Sequence, residues 1–311
     1  MASHRPVLVN EALEGLALSR DGWYVDGTYG RGGHTSGILA ALGKRGRLLA
    51  LDKDPEAVEH ARANFGGDPR FSVRFGGFEN FRALVAPWLC EHRLAGALFD
   101  LGISSAQLDD AKRGFSFSND GPLDMRMNPG DGISARQWLR QVDEAELARV
   151  LRRFGEEPKA RRIARAIIET RASAPVDTTG QLAALVARAA GPGHRRIHPA
   201  TRVFQAIRIH INRELKSLET VLEQCLRMLA DGGRLCVISF HSLEDRIVKR
   251  FMARQAKGDP VYAGLPVIPP GAGPTLRLIG GLIRPRQSEV DANPRARSAR
   301  LRVAERSGAV A

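Results

Sequence analysis

The chain has 311 residues, 43% of them hydrophobic and 26% charged, which supports a folded core and excludes intrinsic disorder. Lys and Arg number 47 against 34 Asp and Glu, a formal charge of +13. A balance this basic favours a polyanionic partner, because neutralising phosphates releases condensed counterions. Cys90, Cys225 and Cys236 stand alone, without the paired spacing of a zinc site or disulfide framework, so neither a metal nor a bridge is expected. No segment reaches the length of a membrane span and the first residues carry no basic-then-apolar leader, so the expectation is a cytoplasmic protein with no membrane partner.

Along the first third, short apolar runs alternate with helical patterns in the rhythm of βαβ units, which predicts a parallel sheet covered by helices. The expected strands are Trp23–Val25, Arg47–Leu51, Phe71–Phe75 and Ala95–Asp100. Thr35 to Leu42 reads as a helix closed by Gly43, and Asp54 as the N-cap of a helix that opens on Pro55 and runs through Ala63. After Asp100 the rhythm breaks: residues 104–132 are rich in Gly, Asp, Ser and Pro. Four amphipathic helices follow at Ser134–Arg140, Glu144–Arg153, Ala160–Thr170 and Thr179–Ala190, with arginines on their polar faces. The βα rhythm resumes with one long helix over Ala200–Leu229, a stop at Asp231-Gly232-Gly233, a strand over Arg234–Phe240 and a helix from Leu243 to Ala256. Residues 257–285 read as a Gly- and Pro-rich loop, and the basic run Asn293–Arg302 as ending in an edge strand.

Chemistry concentrates after the first strand, in Asp26-Gly27-Thr28-Tyr29-Gly30-Arg31-Gly32-Gly33-His34-Thr35. Glycines in a strand-to-helix turn let the backbone approach a ligand that any Cβ would exclude, so a nucleotide-like ligand is expected. Asp52 ends the second strand, where a carboxylate accepts hydrogen bonds from ribose hydroxyls. A nicotinamide dehydrogenase uses the same strand-end logic but needs Gly-x-Gly-x-x-Gly to seat a pyrophosphate. Here Gly30-x-Gly32 is followed by Thr35 at the third place. That mismatch, with the acidic Asp26 ahead of the loop, suits a ligand carrying an ammonium and a sulfonium, as S-adenosylmethionine does.

Longer blocks carry a resemblance. They include Phe99-Asp100-Leu101-Gly102-Ile103-Ser104-Ser105, Arg113-Gly114-Phe115-Ser116-Phe117, Pro122-Leu123-Asp124-Met125-Arg126-Met127, His198-Pro199-Ala200-Thr201-Arg202, Ile238-Ser239-Phe240-His241-Ser242-Leu243-Glu244-Asp245-Arg246 and Asn293-Pro294-Arg295-Ala296-Arg297-Ser298. Through these the chain resembles, along nearly its whole length, the ribosomal RNA small-subunit methyltransferase H family, also called MraW. The resemblance implies an α/β fold: a Rossmann-like class I methyltransferase domain formed by residues 1–107 and 199–311, with a mainly α-helical insertion at 108–198 that contacts RNA. It implies transfer of a methyl group from S-adenosyl-L-methionine to the N4 amino group of a cytidine in the decoding region of 16S ribosomal RNA, within the small subunit.

In that family the cofactor contacts fall on positions matching Gly32, Gly33, His34, Asp52, Phe78, Asp100 and Gln107. Asp100, ending the fourth strand, is the first candidate to face the reacting methyl group, with the Gly102–Ser105 loop carbonyls as an alternative and Asp109 and Asp124 ranked below. Asn212 and His241 are substrate-side candidates, and Arg195, Arg196, Arg202, Arg295, Arg297 and Arg300 are candidate phosphate contacts. The Asp/Asn-Pro-Pro-aromatic motif of many amino-methyltransferases is replaced here by Asp100-Leu101-Gly102-Ile103. Rival readings are a nicotinamide oxidoreductase and a non-catalytic, basic ribosome-assembly factor. The intact Asp26, Asp52 and Asp100 favour retained catalysis.

Overall fold

The structure, a computed structural model, describes residues 6–191, 198–258, 260–262 and 272–308. Arg195 and Arg196 lie outside the described residues. The chain divides into two compact units, one formed up to Gly102 and again from Leu215, the other Ile103–Glu214.

The first unit opens with α1 (Val9–Leu16), β1 (Trp23–Asp26), α2 (Gly33–Ala41), β2 (Arg47–Asp52), α3 (Pro55–Phe65), β3 (Phe71–Phe75), α4 (Phe81–Leu89) and β4 (Leu94–Asp100). Its strands are apolar without alternation because helices cover both sheet faces: Leu48, Leu49 and Ala50 in β2 and Ala97, Leu98 and Phe99 in β4 are fully buried. Asp54 caps α3 by accepting a hydrogen bond from the Glu56 amide, with Pro55 in the first turn, as the sequence predicts.

The second unit contains α5 (Ser105–Asp109), α6 (Ala135–Gln141), α7 (Glu144–Gly155), α8 (Ala160–Ser173), α9 (Thr179–Ala190) and α10 (Pro199–Ile211). One core joins them, with Leu147, Leu151, Ile163, Ile167, Leu182, Val186, Val203 and Ile207 buried together. Because α10 packs on α7 and α9, it belongs to this unit, and the insertion spans 103–214 rather than 108–198.

The single helix expected over Ala200–Leu229 is two helices, α10 and α11 (Glu214–Met228). Asn212 leaves the helical conformation and its side chain donates to the Arg208 carbonyl, while Arg213 takes a left-handed φ of 50°. An Asn side chain competes for backbone groups in this way without disturbing the apolar periodicity around it, so the pattern runs through the break unmarked.

The first unit closes with β5 (Leu229–Ser239), α12 (Ser242–Lys257), β6 (Leu276–Leu278), α13 (Gln287–Ala292) and β7 (Arg300–Arg306). The seven strands lie in the order β3-β2-β1-β4-β5-β7-β6, with β7 antiparallel to both neighbours, the arrangement of a class I methyltransferase. Two expectations change here. The last strand is interior, not an edge, and the region read as a long loop supplies the true edge strand, β6. A strand bearing Arg300 and Arg302 tolerates an interior place because Asp245 pairs with both, at 2.9 and 2.7 Å. Hydrogen bonds from those arginines outweigh the effect of burial and hold the Asp245 carboxyl below the usual range. Arg300 is therefore committed to the fold.

Candidate active site

Three carboxylates end neighbouring strands at the same edge of the sheet: Asp26 on β1, Asp52 on β2 and Asp100 on β4. Strand ends of an open α/β sheet are where ligands gather, since the loops that follow diverge there. The loop after β1 is tied to both neighbours. The Gly27 amide donates to the Leu98 carbonyl at 2.8 Å and the Tyr29 amide to the Leu51 carbonyl at 3.0 Å. The Asp100 amide donates to the Thr28 hydroxyl at 2.6 Å.

Asp26 is buried and engaged inside this loop, accepting from the Thr28 amide at 3.1 Å and from the Thr35 hydroxyl at 2.7 Å. Burial raises its pKa, and His34, Thr35 and Thr28 partly counter the rise. Asp52 accepts from the Gly30 amide at 2.9 Å and from the Asp54 amide at 2.9 Å, which ties the carboxylate at the end of β2 to the glycine loop. Burial nevertheless pushes its carboxyl up to about 6, with added repulsion from Asp54 and Asp26.

Gly32 sits at the N-cap of α2 with φ of 78°, a left-handed conformation that disfavours any Cβ. A Cβ there would also meet the Tyr29 hydroxyl at 2.8 Å and the Phe65 ring at 2.9 Å. At Gly33 the constraint is different: its added Cβ would lie 2.3 Å from Pro6, so this glycine is required by the chain's own packing whether or not a ligand touches it. Tyr29 is buried under the loop, and its hydroxyl hydrogen-bonds His60 Nδ1 at 2.8 Å. Nothing in the sequence pairs these two residues, which stand 31 positions apart on different elements.

His34 is buried, with Nε2 bonded to the Val7 carbonyl at 3.0 Å and Nδ1 3.8 Å from Asp100 Oδ2. Asp100 is 25% exposed at its side chain, and its Oδ1 atom is buried without a hydrogen-bond partner. Desolvation pushes its carboxyl up to about 6; His34 works against the shift, while Asp26 and Glu244 add to it. Phe78, in a short 3-10 turn after β3, packs its ring edge-on against Phe99 at 5.5 Å and stays partly exposed.

His241 belongs to the same unit, at the end of β5. It caps α12 through Nδ1, which accepts from the Glu244 amide at 3.4 Å, and Glu244 returns the contact by accepting from the amides of Phe240 and His241. Arg295 and Arg297 are exposed on the 3-10 turn Pro294–Ser298.

The remaining sequence candidates lie in the second unit. Gln107 forms a capping box with Ser104 at the start of α5. Asp109 is exposed, and Asp124 is paired with Arg126 at 2.6 Å. Asn212 donates to the carbonyls of Met125 and Arg208 and accepts from the Met127 amide, so its side chain brackets the Pro122–Met127 segment from within the unit. Arg202 is exposed and donates to the Glu156 carbonyl.

A cationic cofactor fits the strand-end residues. Carboxylates whose pKa burial raises, one with an unpartnered oxygen, are stabilised as anions by an ammonium or sulfonium and repelled by a pyrophosphate. The Ribosomal RNA small subunit methyltransferase H of Xanthomonas euvesicatoria pv. vesicatoria (strain 85-10) is 55% identical over 307 residues, covering 99% of this chain and 90% of its own. That of Thioalkalivibrio sulfidiphilus (strain HL-EbGR7) is 55% identical over 305 residues, covering 98% and 97%. The crystal structure of a rRNA methylase from Streptococcus thermophilus superposes with a TM-score of 0.45 at 12% identity, covering 99% of this chain and all of that one. Residues 1–307 match the MraW methylase family, and the chain belongs to that family of S-adenosylmethionine-dependent methyltransferases.

Proposed function

We propose that this protein methylates the exocyclic N4 of a cytidine in the decoding region of 16S ribosomal RNA. Family membership and the names of its relatives support small-subunit ribosomal RNA as the substrate. The observation that carries the amino-group reading is Asp100 Oδ1, a buried acceptor with no partner at the end of β4.

S-adenosylmethionine supplies an electrophilic methyl group whose bond to sulfur breaks with the electron pair going to sulfur. The N4 lone pair is delocalised into the cytosine ring and is a poor nucleophile, so orientation and hydrogen bonding to its N–H groups supply the rate. Asp52 would hold the ribose of the cofactor, and the Gly32–His34 backbone its methionine end. Asp100 accepts an N4–H, aims the lone pair, and takes the proton that the alkylated amine sheds. A carboxyl raised to about 6 accepts that proton more readily than an ordinary carboxylate.

Shape and phosphate contacts rather than base stacking would hold the RNA, since Trp and Tyr number only three each. Arg152, Arg153, Arg161 and Arg162, all exposed at the α7–α8 connection, and Arg295 and Arg297 are the proposed contacts. Mass spectrometry of 16S ribosomal RNA from cells lacking this protein tests the proposal: N4-methylcytidine should be absent. An unchanged modification profile overturns the substrate and leaves the cofactor standing.

A further inference from the structure

Among the described residues, three buried side-chain atoms have no hydrogen-bond partner: Asp100 Oδ1, His241 Nε2 and Arg234 Nε. Arg234 starts the β5–β7 ladder and pairs through its other nitrogen with Glu305 at 2.7 Å, far along β5 from the strand end. The other two stand at or just beyond the ends of adjoining strands, Asp100 closing β4 and His241 two residues past the end of β5. Asp100 is in register with Ile238, the Leu101 amide donates to the Ile238 carbonyl at 2.9 Å, and His241 follows three residues later. Glu244 links them, standing 3.2 Å from His241 Nε2 and contributing to the raised pKa of Asp100. Buried polar groups are ordinarily satisfied, so two orphans at adjoining ends of β4 and β5 point to one ligand.

The two atoms differ in chemistry. Asp100 Oδ1 is an acceptor when the carboxylate is ionised. His241 Nδ1 accepts from the Glu244 amide, which leaves the proton of the neutral ring on Nε2 and makes that nitrogen a donor. Its side chain is only 10% exposed, and the 3.2 Å contact with Glu244 Oε1 lacks the alignment of a hydrogen bond, so the donor has no hydrogen-bond acceptor. An acceptor beside a donor complements an amino group beside an unprotonated ring nitrogen. Cytosine carries that pair as N4–H and N3, and uracil carries the opposite pair, a keto oxygen beside N–H. Enzymes acting on an extruded base read its Watson–Crick edge with such groups.

We infer that His241 Nε2–H donates to the ring nitrogen N3 of the target cytosine while Asp100 accepts from its amino group, so that His241 determines base specificity. The inference rests on the amino-group reading above. It assigns His241 a contact with the base and no part in proton transfer.

The test uses the full-length protein and its reconstituted small-subunit RNA substrate. His241→Asn keeps a side-chain oxygen to cap α12 and removes the Nε2 donor, so S-adenosylhomocysteine affinity and Tm should stay at wild-type values while kcat/KM falls about ten- to a hundredfold. His241→Gln, whose amide nitrogen reaches about where Nε2 stood, should recover part of the loss. Substrate carrying 3-deazacytidine at the target, which lacks the N3 acceptor, should lose a similar factor with the wild-type protein and lose nothing further with His241→Asn. Independent, multiplying losses, or an unaffected His241→Asn variant, overturn the inference. Failure of the wild-type protein to methylate the unmodified cytidine at all would instead overturn the proposed function.

Discussion

His34 Nδ1 lies 3.8 Å from Asp100 Oδ2, and the same ring is fixed from its other side by the Val7 carbonyl at 3.0 Å. A glycine-loop histidine and a strand-end carboxylate, 66 positions apart in sequence, are thereby held as neighbours at the proposed point of methyl transfer. Asp100 remains the less satisfied of the two, and its cost to the folded chain has measurable consequences.

The unliganded protein should be more stable near pH 5 than at pH 7 through its site carboxylates. Asp52 and Asp100 both move from 3.8 to about 6, so the folded chain binds their protons more tightly than the unfolded chain. The stability this contributes is complete below pH 3.8 and is lost as pH rises through 6. Asp100→Asn should stabilise the unliganded protein at pH 7 by about 1–2 kcal/mol while reducing turnover at least tenfold. Denaturant melts at several pH values, paired with single-turnover methylation, check both signs; a variant less stable than wild type at pH 7 contradicts the expectation.

Cofactor affinity should fall as pH drops below 6, because a cationic ligand favours the ionised carboxylates. Each carboxylate that must lose a proton weakens binding by about tenfold between pH 7 and pH 5. His34→Gln keeps a donor for Val7 and removes the basic group beside Asp100, so the midpoint of this decline should move to higher pH. Isothermal titration with S-adenosylmethionine, which keeps the sulfonium charge, in the absence of RNA across that range reads the shift.

Gly32→Ala should lose cofactor binding and destabilise the fold together. Its φ of 78° is left-handed, and the new Cβ would press on Tyr29 and Phe65. Strain of this kind costs about 1–3 kcal/mol. Thermal shift with and without S-adenosylhomocysteine measures both effects, and a variant with wild-type Tm and full ligand response would count against the described loop.

Asn212→Ala should behave as a folding defect. Three hydrogen bonds to Met125, Met127 and Arg208 are lost at once, a destabilisation of about 2–4 kcal/mol. At a temperature where the variant remains folded, KM for the RNA substrate should match wild type. A stable variant with a raised KM would return Asn212 to the substrate side.

Local sequence patterns specify the parallel half of the sheet, the cap at Asp54, the glycine loop and the strand-end positions of Asp52 and Asp100. These follow from local rules: apolar runs of strand length, an acidic N-cap before proline, glycines in a strand-to-helix turn. Other features depend on partners distant in sequence. The helix break at Asn212 needed Met125 and Met127, and the interior place of β7 needed Asp245 to neutralise Arg300 and Arg302. Tyr29 found His60, and Asp100 was left with one unpartnered oxygen at the end of β4. Periodicity reports which face a residue turns to the core. Which polar groups meet there, and which are left unsatisfied for a ligand, is decided only when the strands are laid side by side.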